Sequence, residues 1–383
     1  MKQFSHGDGR RAGVQIGDEV DPAKIAGDAV IRSGCRISGA KTSIGPGCVI
    51  GDEAPAVLEN CQLGRNVKLK GGYFSGAVFF DGANLGSGAH VRAGTILEEE
   101  AGGAHAVGLK QTILLPFVTA GSLINFCDVL MAGGTSRKDH SEIGSSYIHF
   151  NFTPHQDKAT ASLVGEVPRG VFLDQRPIFL GGQGGLVGPA RIAYGCVVAA
   201  GGVCREDLVE ENQLHVPEVP EAGTRPYQTG AYRRADRLIK NNLLYIGNIL
   251  ALREWYRHVR SRFVRDAFDR AVLDGGLANL DLVLKERIKR LGDVAEKFEA
   301  SFRWLEANGG AADEIETQKR FHAAWPEIRE QIESLDFPVS DFVQSVATGK
   351  NYIETIQALS AEPRAAGQAW LQGVVDCAGQ RWG

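Results

Sequence analysis

Two stretches concentrate the side chains that could do chemistry. Ser122 and Asn125 stand three residues apart, and His140 to Lys158 (HSEIGSSYIHFNFTPHQDK) carries three of the nine histidines together with Asn151, Asp157 and Lys158. A lysine and an asparagine beside one edge can hold a phosphate and a sugar hydroxyl, and an imidazole can act as a base near neutral pH. The plain alternative is a set of solvated side chains in a Gly-rich loop. What decides between them is the frame that the rest of the chain builds.

That frame is most legible from Leu180 to Val203, which divides into LGGQGG, LVGPAR, IAYGCV and VAAGGV. Leu180, Leu186, Ile192 and Val198 open the hexads, and the fifth places hold Gly184, Ala190, Cys196 and Gly202. A helix cannot give a period of six and a flat strand gives two. The spacing predicts a left-handed parallel β-helix, in which three hexads make one triangular turn and turns stack at about 4.8 Å. The opening aliphatic fills the interior, and the fifth residue fits a tight corner. Collagen-like or disordered Gly-rich chain does not fit, because there is no G-X-Y register and aliphatics abound.

The same register runs through IAGDAV from Ile25, IRSGCR from Ile31, IGPGCV from Ile44 and LGRNVK from Leu63, and then through Phe79, Leu85, Val91 and Leu97. Two interruptions are expected. EEEAGGAHA (98–106) reads as a bulge, and the stretch from Gly133 to Gly182 as irregular chain containing a hairpin that turns near Leu173 to Arg176. Residues 1–24 read as an irregular lead-in, 25–212 as the β-helix with its inserted loops, and the proline-bearing 213–226 as a linker.

Residues 227–383 form an α-helical domain by this reading. Composition changes at the linker: 36 of the 48 glycines precede residue 225 and all five tryptophans follow it. Leu238, Tyr245, Ile249, Leu252, Tyr256, Val259 and Phe263 mark one helical face, and Leu280, Leu284, Ile288, Leu291, Phe298, Phe302 and Leu305 a second. Gly275–Gly276 and Gly309–Gly310 are expected to punctuate the ends, with breaks at Pro326 and Pro338. The fold class is thus mainly β followed by an all-α bundle.

The totals exclude several classes. A net charge of −4 gives no basis for nucleic-acid binding by bulk electrostatics. The arginines of LREWYRHVRSRFVRD (252–266) read as the solvated face of an amphipathic helix, with Trp255 and Tyr256 packing between helices. The opening residues lack an apolar signal segment and no apolar run reaches the ~18 residues of a membrane span, so the expected location is cytoplasmic. Seven cysteines without a CxxC pair argue against a disulfide framework or a zinc site, and no metal is expected. The loops 133–138 and 181–185 do not follow a strand-to-helix pattern, which speaks against a phosphate-cradling nucleotide site.

The order of segments resembles the C-terminal acetyltransferase domain of the bifunctional N-acetylglucosamine-1-phosphate uridyltransferase/glucosamine-1-phosphate acetyltransferase family. The matching pieces are GAHV (88–91), VGLKQTIL (107–114), AGSL (120–123), NFTPHQDK (151–158), IFLGGQGGLVGPARI (178–192) and VVAAGGVCRED (197–207). The resemblance covers about a third of the chain. It implies that Lys110 and Lys158 face a sugar phosphate with Asn125 nearby, and that Asn151 and Phe152 sit between sugar and acetyl-CoA. It also implies that Gly182 and Ala200 line the groove for the pantetheine arm, and that a homotrimer completes the site. No uridyltransferase-type nucleotide loop is present, so pyrophosphorylase chemistry is not expected.

Three departures bear on function. Where the family's A-G-H-L motif carries its catalytic histidine, this chain has Ser122, whose hydroxyl cannot hold a proton at neutral pH. Asn125 and Phe152 replace two tyrosines of the family, and the Asn151–Lys158 spacing is one residue longer. His155, inside that enlarged loop, is the candidate substitute base. The expected activity is acetyl-CoA-dependent N-acetylation of an amino-sugar phosphate resembling glucosamine-1-phosphate. The alternative is a noncatalytic sugar-nucleotide-binding or scaffolding homologue.

Overall fold

A computed structural model describes residues 2–3, 13–224, 226–349 and 351–382. The N-terminal part is a parallel β-solenoid of about 11 turns, a left-handed β-helix; among the described residues one short α-helix interrupts it and six follow it. Along one side, ten two-residue parallel strands stack, starting at residues 30, 49, 68, 84, 102, 119, 142, 179, 197 and 214. The hexad-opening residues Leu180, Leu186, Ile192 and Val198 are all buried, as are Ala190 and Cys196 at fifth places.

We call this first side B. Side A precedes the second corner and holds strands such as Ala89–Val91, Val107–Lys110 and Ile148–Phe150. Side C follows it, with Gln62–Leu63, Val78–Phe79, Ile96–Leu97 and Ser162–Val164. On side B the outward residues of the last three rungs, Phe179, Val197 and Leu214, are open. On side C the outward residues Val78, Ile96, Ile113, Leu130 and Leu163 are buried as deeply as the inward ones. The helices cover that side. A strand buried on both faces reads as continuous apolar chain, and VF, IL and LM on successive turns are its signature.

Helix α1 (Val167–Gly170) is a single turn inserted in the solenoid. Helices α2 (Ala235–His258) and α3 (Ala267–Ala307) lie against side C, backed by α4 (Ala312–Glu333), α5 (Phe342–Ser345), α6 (Tyr352–Gln357) and α7 (Ala361–Gly379). Most of α2 is buried because it is packed between the solenoid and α7, and its polar side chains serve coil backbone. Asn242 Nδ2 donates to the Ala159 carbonyl (3.0 Å), and Asn248 Oδ1 accepts from the Val167 N–H (2.8 Å). In α3, Asn279 Nδ2 donates to the carbonyls of Gly76 and Thr95 at 3.0 and 3.1 Å. Buried backbone oxygens thereby keep their partners.

Several expectations change. The β-helix begins before residue 25, since Gln15–Ile16 already pairs with Arg36–Ile37. Its last rung, Leu214–His215, enters the stretch read as linker. Residues 98–106 do not bulge: Gly102–Gly103 is a regular side-B strand. The hairpin turning near Leu173 does not form. Ser162–Val164 and Phe179–Leu180 belong to different sides, because each must return to its own parallel ladder, and α1 fills the excursion between them. The antiparallel pair within 133–182 is Gly134–Ser136 with Asp139–His140.

Gly275–Gly276 does not end a helix either, for α3 runs through it as 41 residues. A Cβ on Gly276 would lie 2.5 Å from Tyr256 Cε1, so the pair permits close approach rather than a stop. Pro326 likewise sits inside α4. Trp255 and Tyr256 do pack between elements, and Trp255 Nε1 donates to Tyr352 Oη (2.8 Å). The arginine segment is not a solvated face at its centre. Arg260 is buried, paired with Glu98 (2.6 Å) and Glu99 (2.8 Å) and flanked by the rings of Phe80 and Tyr352. Among the described residues no helix is long and apolar enough to cross a membrane.

Candidate active site on two corners of the coil

The corner between sides B and A is built by the repeat itself. Ala106, Leu123, Ser146 and Gln183 adopt left-handed backbone, as does Gly201. Each donates its N–H to the turn below, to the carbonyls of Ser87, His105, Ser122, Ser145 and Gly182 respectively, at 2.8 to 3.1 Å. Those acceptors form one vertical column, continued by Ala200 beside Gly201. Ser122 Oγ lies 3.0 Å from His105 Nδ1, and the Ser122 N–H donates to Ser145 Oγ at 3.1 Å. A Cβ on Gly182 would sit 2.8 Å from the Ser145 carbonyl oxygen, so the upper column stays bare of side chains. Serine, glycine and alanine above an exposed imidazole leave this corner poor in bulky side chains along the turns.

The corner between sides A and C is built with help from α3. Gln111, Asp128 and Lys158 carry positive φ there. Arg287, only 2 % exposed, pairs with Asp128 Oδ1 (3.1 Å) and donates to Gln111 Oε1 (2.9 Å) and to the Lys158 carbonyl (3.2 Å). Asp128 Oδ2 in turn accepts from Asn151 Nδ2 at 3.2 Å. One guanidinium thus fixes both ends of the 151–158 loop, at Asn151 through Asp128 and at Lys158 directly. Planar, always charged and rich in donors, arginine suits such a junction. Lys110 stands on side A level with Cys127. Among the described residues neither Lys110 nor Lys158 forms an ion pair, and Phe152 is 67 % exposed. Asn125 points outward on side A, between Gly108 and Ile148 in the ladder.

The loop is strapped from outside as well. Tyr232 Oη donates to buried Asp157 (2.7 Å), the Tyr232 and His155 rings stack at 4.4 Å, and Lys297 Nζ donates to the His155 carbonyl (2.8 Å). His155 Nδ1 accepts from the Gly230 N–H at 3.0 Å, and burial pushes the ring below the usual imidazole range. With Nδ1 occupied as an acceptor, the neutral ring carries its proton on Nε2 and has no free lone pair. His149 is enclosed in the coil between the Cys127 carbonyl (2.6 Å) and Ser162 Oγ (2.8 Å). Its desolvation lowers it to about 4, so it is a neutral core side chain.

The sequence-selected residues therefore divide. Ser122, Gly182 and Ala200 share the first corner, Asn151, Phe152, His155 and Lys158 the second, and Lys110 and Asn125 the side between them. The histidine that touches Ser122 is His105, which the sequence alone does not single out because EEEAGGAHA (98–106) reads as a bulge. Stacking GGAHA in register one turn below AGSL would have placed it. Arg287 and Tyr232 carried no sequence signal, since their partners are far away in the chain. No group of three or more His, Cys, Asp or Glu side chains is placed to hold a metal among the described residues.

No family model matches the chain. It is similar to the bifunctional protein GlmU of Thermotoga petrophila, 28% identical over 185 residues, covering 48% of this chain and 37% of that protein. The corresponding protein of Geotalea uraniireducens is 26% identical over 200 residues (52% and 39%), and that of Acinetobacter baumannii strain AYE is 26% identical over 203 (53% and 38%). The chain thus spans less than two fifths of the length of these relatives. With its hexapeptide-repeat solenoid, it is a homologue of the C-terminal half of the bifunctional GlmU proteins, an acyltransferase-like protein.

Proposed function

We propose that the chain transfers an acetyl group from acetyl-CoA to the amine of an amino-sugar phosphate resembling glucosamine-1-phosphate. The observation that carries this reading is the column Ser122, Ser145, Gly182 and Ala200, a side-chain-poor groove of hydroxyl, glycine and alanine positions that suits an extended pantetheine arm. Across side A, Lys110, Lys158 and Asn151 supply two cations and an amide for a sugar phosphate. The homology to the GlmU proteins supports the same assignment.

The open apolar residues Ile148 and Phe150 on side A, Leu123 and Phe152 at its two corners, and Phe179, Val197 and Leu214 on side B favour packing against further copies, and a homotrimer is the assembly we assign. A second reading rests on the serine at 122. A protein lacking a base would bind sugar nucleotide or acetyl-CoA without turnover.

Free-thiol release from acetyl-CoA on adding glucosamine-1-phosphate separates the two. The transferase reading expects release that is lost in Lys158→Ala. Binding without release favours the scaffold.

A further inference from the structure

The first-corner column holds one titratable side chain. Ser87, His105, Ser122, Ser145, Gly182 and Ala200 succeed one another up the coil, and His105 is the one imidazole among them. Its Nδ1 faces Ser122 Oγ at 3.0 Å, while its ring is exposed at the mouth of the groove. Ser122 is fixed from three directions: its N–H by Ser145 Oγ, its carbonyl by the Ser146 N–H, and its hydroxyl by His105. The histidine's own carbonyl is held by the Leu123 N–H at 3.1 Å. A hydroxyl held this way is a poor base by itself, but it passes a proton to an imidazole within hydrogen-bond reach.

We infer that Ser122 and His105 act together as the general base of the acyl transfer, the serine relaying and the histidine storing the proton; this rests on the transferase reading above. The acceptor's neutral amine attacks the thioester carbonyl carbon, forming the C–N bond. Its proton moves to Ser122 Oγ as the serine's own proton moves to His105 Nδ1. The tetrahedral intermediate collapses, the C–S bond breaks, and the departing thiolate takes the proton back from the imidazolium. No oxidant, metal or further co-reactant is consumed. His155 has no part in this route, because its Nδ1 is already held by Gly230.

The test compares the full chain with His105→Gln, Ser122→Ala and the double variant Ser122→His/His105→Gln, using acetyl-CoA and glucosamine-1-phosphate. His105→Gln and Ser122→Ala should each lower kcat by about 100-fold or more, the usual reach of acid–base catalysis, with KM for acetyl-CoA little changed. The double variant should recover activity, since an imidazole at 122 needs no relay. An active protein whose His105→Gln variant is equally fast overturns the pair and leaves the transferase reading standing. A loss in His105→Gln that the double variant does not recover also overturns it, for the imidazole would then only shape the corner. An inactive parent with an active double variant overturns the pair while supporting the site. Inactivity of both overturns the transferase reading and the pair with it.

Discussion

The two corners that carry the candidate site are made in different ways. At the first, every hydrogen bond that sets Ser122, Ser145 and Gly182 comes from the turn above or below. At the second, the turns supply Gln111, Asp128, Asn151 and Asp157, but Arg287 of α3 holds the first three and Tyr232 ahead of α2 holds Asp157. One corner is a product of repetition, and the other depends on long-range packing. Damage to the helices should therefore reach the acceptor side and spare the groove.

The largest effect should come from Arg287→Ala. It leaves Asp128 buried without its cation and frees both ends of the 151–158 loop, at a cost of about 3 kcal/mol or more. Denaturant unfolding checks the stability. In the assay, KM for the sugar phosphate should rise far more than KM for acetyl-CoA, and an equal rise in both would break the distinction between the corners. Tyr232→Phe comes next. Losing the hydroxyl that donates to buried Asp157 should cost about 1–3 kcal/mol and loosen the same loop, read by hydrogen exchange confined to 151–159.

Covered side C gives a pH-dependent prediction. Burial pushes Glu98 up from 4.5 to about 7, with the Glu99 charge adding to it and Arg260 opposing. A carboxyl whose folded value is raised binds its proton more tightly in the native state. Its contribution is fully present below the unfolded value near 4.5 and is lost as pH rises through about 7. Stability of the parent should therefore decline across that window, and Glu98→Gln should flatten the decline; melting temperatures at pH 5 and 8 measure it. The smallest effect belongs to the first corner. Ser145→Ala removes one acceptor from the Ser122 N–H and should cost about 1 kcal/mol or less, since the ladder bonds around it remain.

What the sequence shows and hides follows the same division. The hexads opened by Leu180, Leu186, Ile192 and Val198 betray the coil because the constraint recurs at each turn, and they locate Gly182 and Ala200 with it. Glu98 and Glu99 look like loop residues in the sequence, since their buried partner Arg260 lies in a segment that reads as a solvated basic face. Gly275–Gly276 resembles a helix stop until Tyr256 is seen against it. The alternation around Leu173 suggests a hairpin, whereas parallel stacking obliges both strands to join other turns. His105 was within reach of the repeat, but Arg287 was not: nothing local to it or to Asp128 announces the pairing.

The most direct measurement is mass spectrometry of glucosamine-1-phosphate after incubation with the full chain and acetyl-CoA. The sugar should gain the mass of one acetyl group, with no such gain for Lys158→Ala. An unmodified sugar, from protein that binds acetyl-CoA, would contradict transfer at these corners and make the groove a binding site alone.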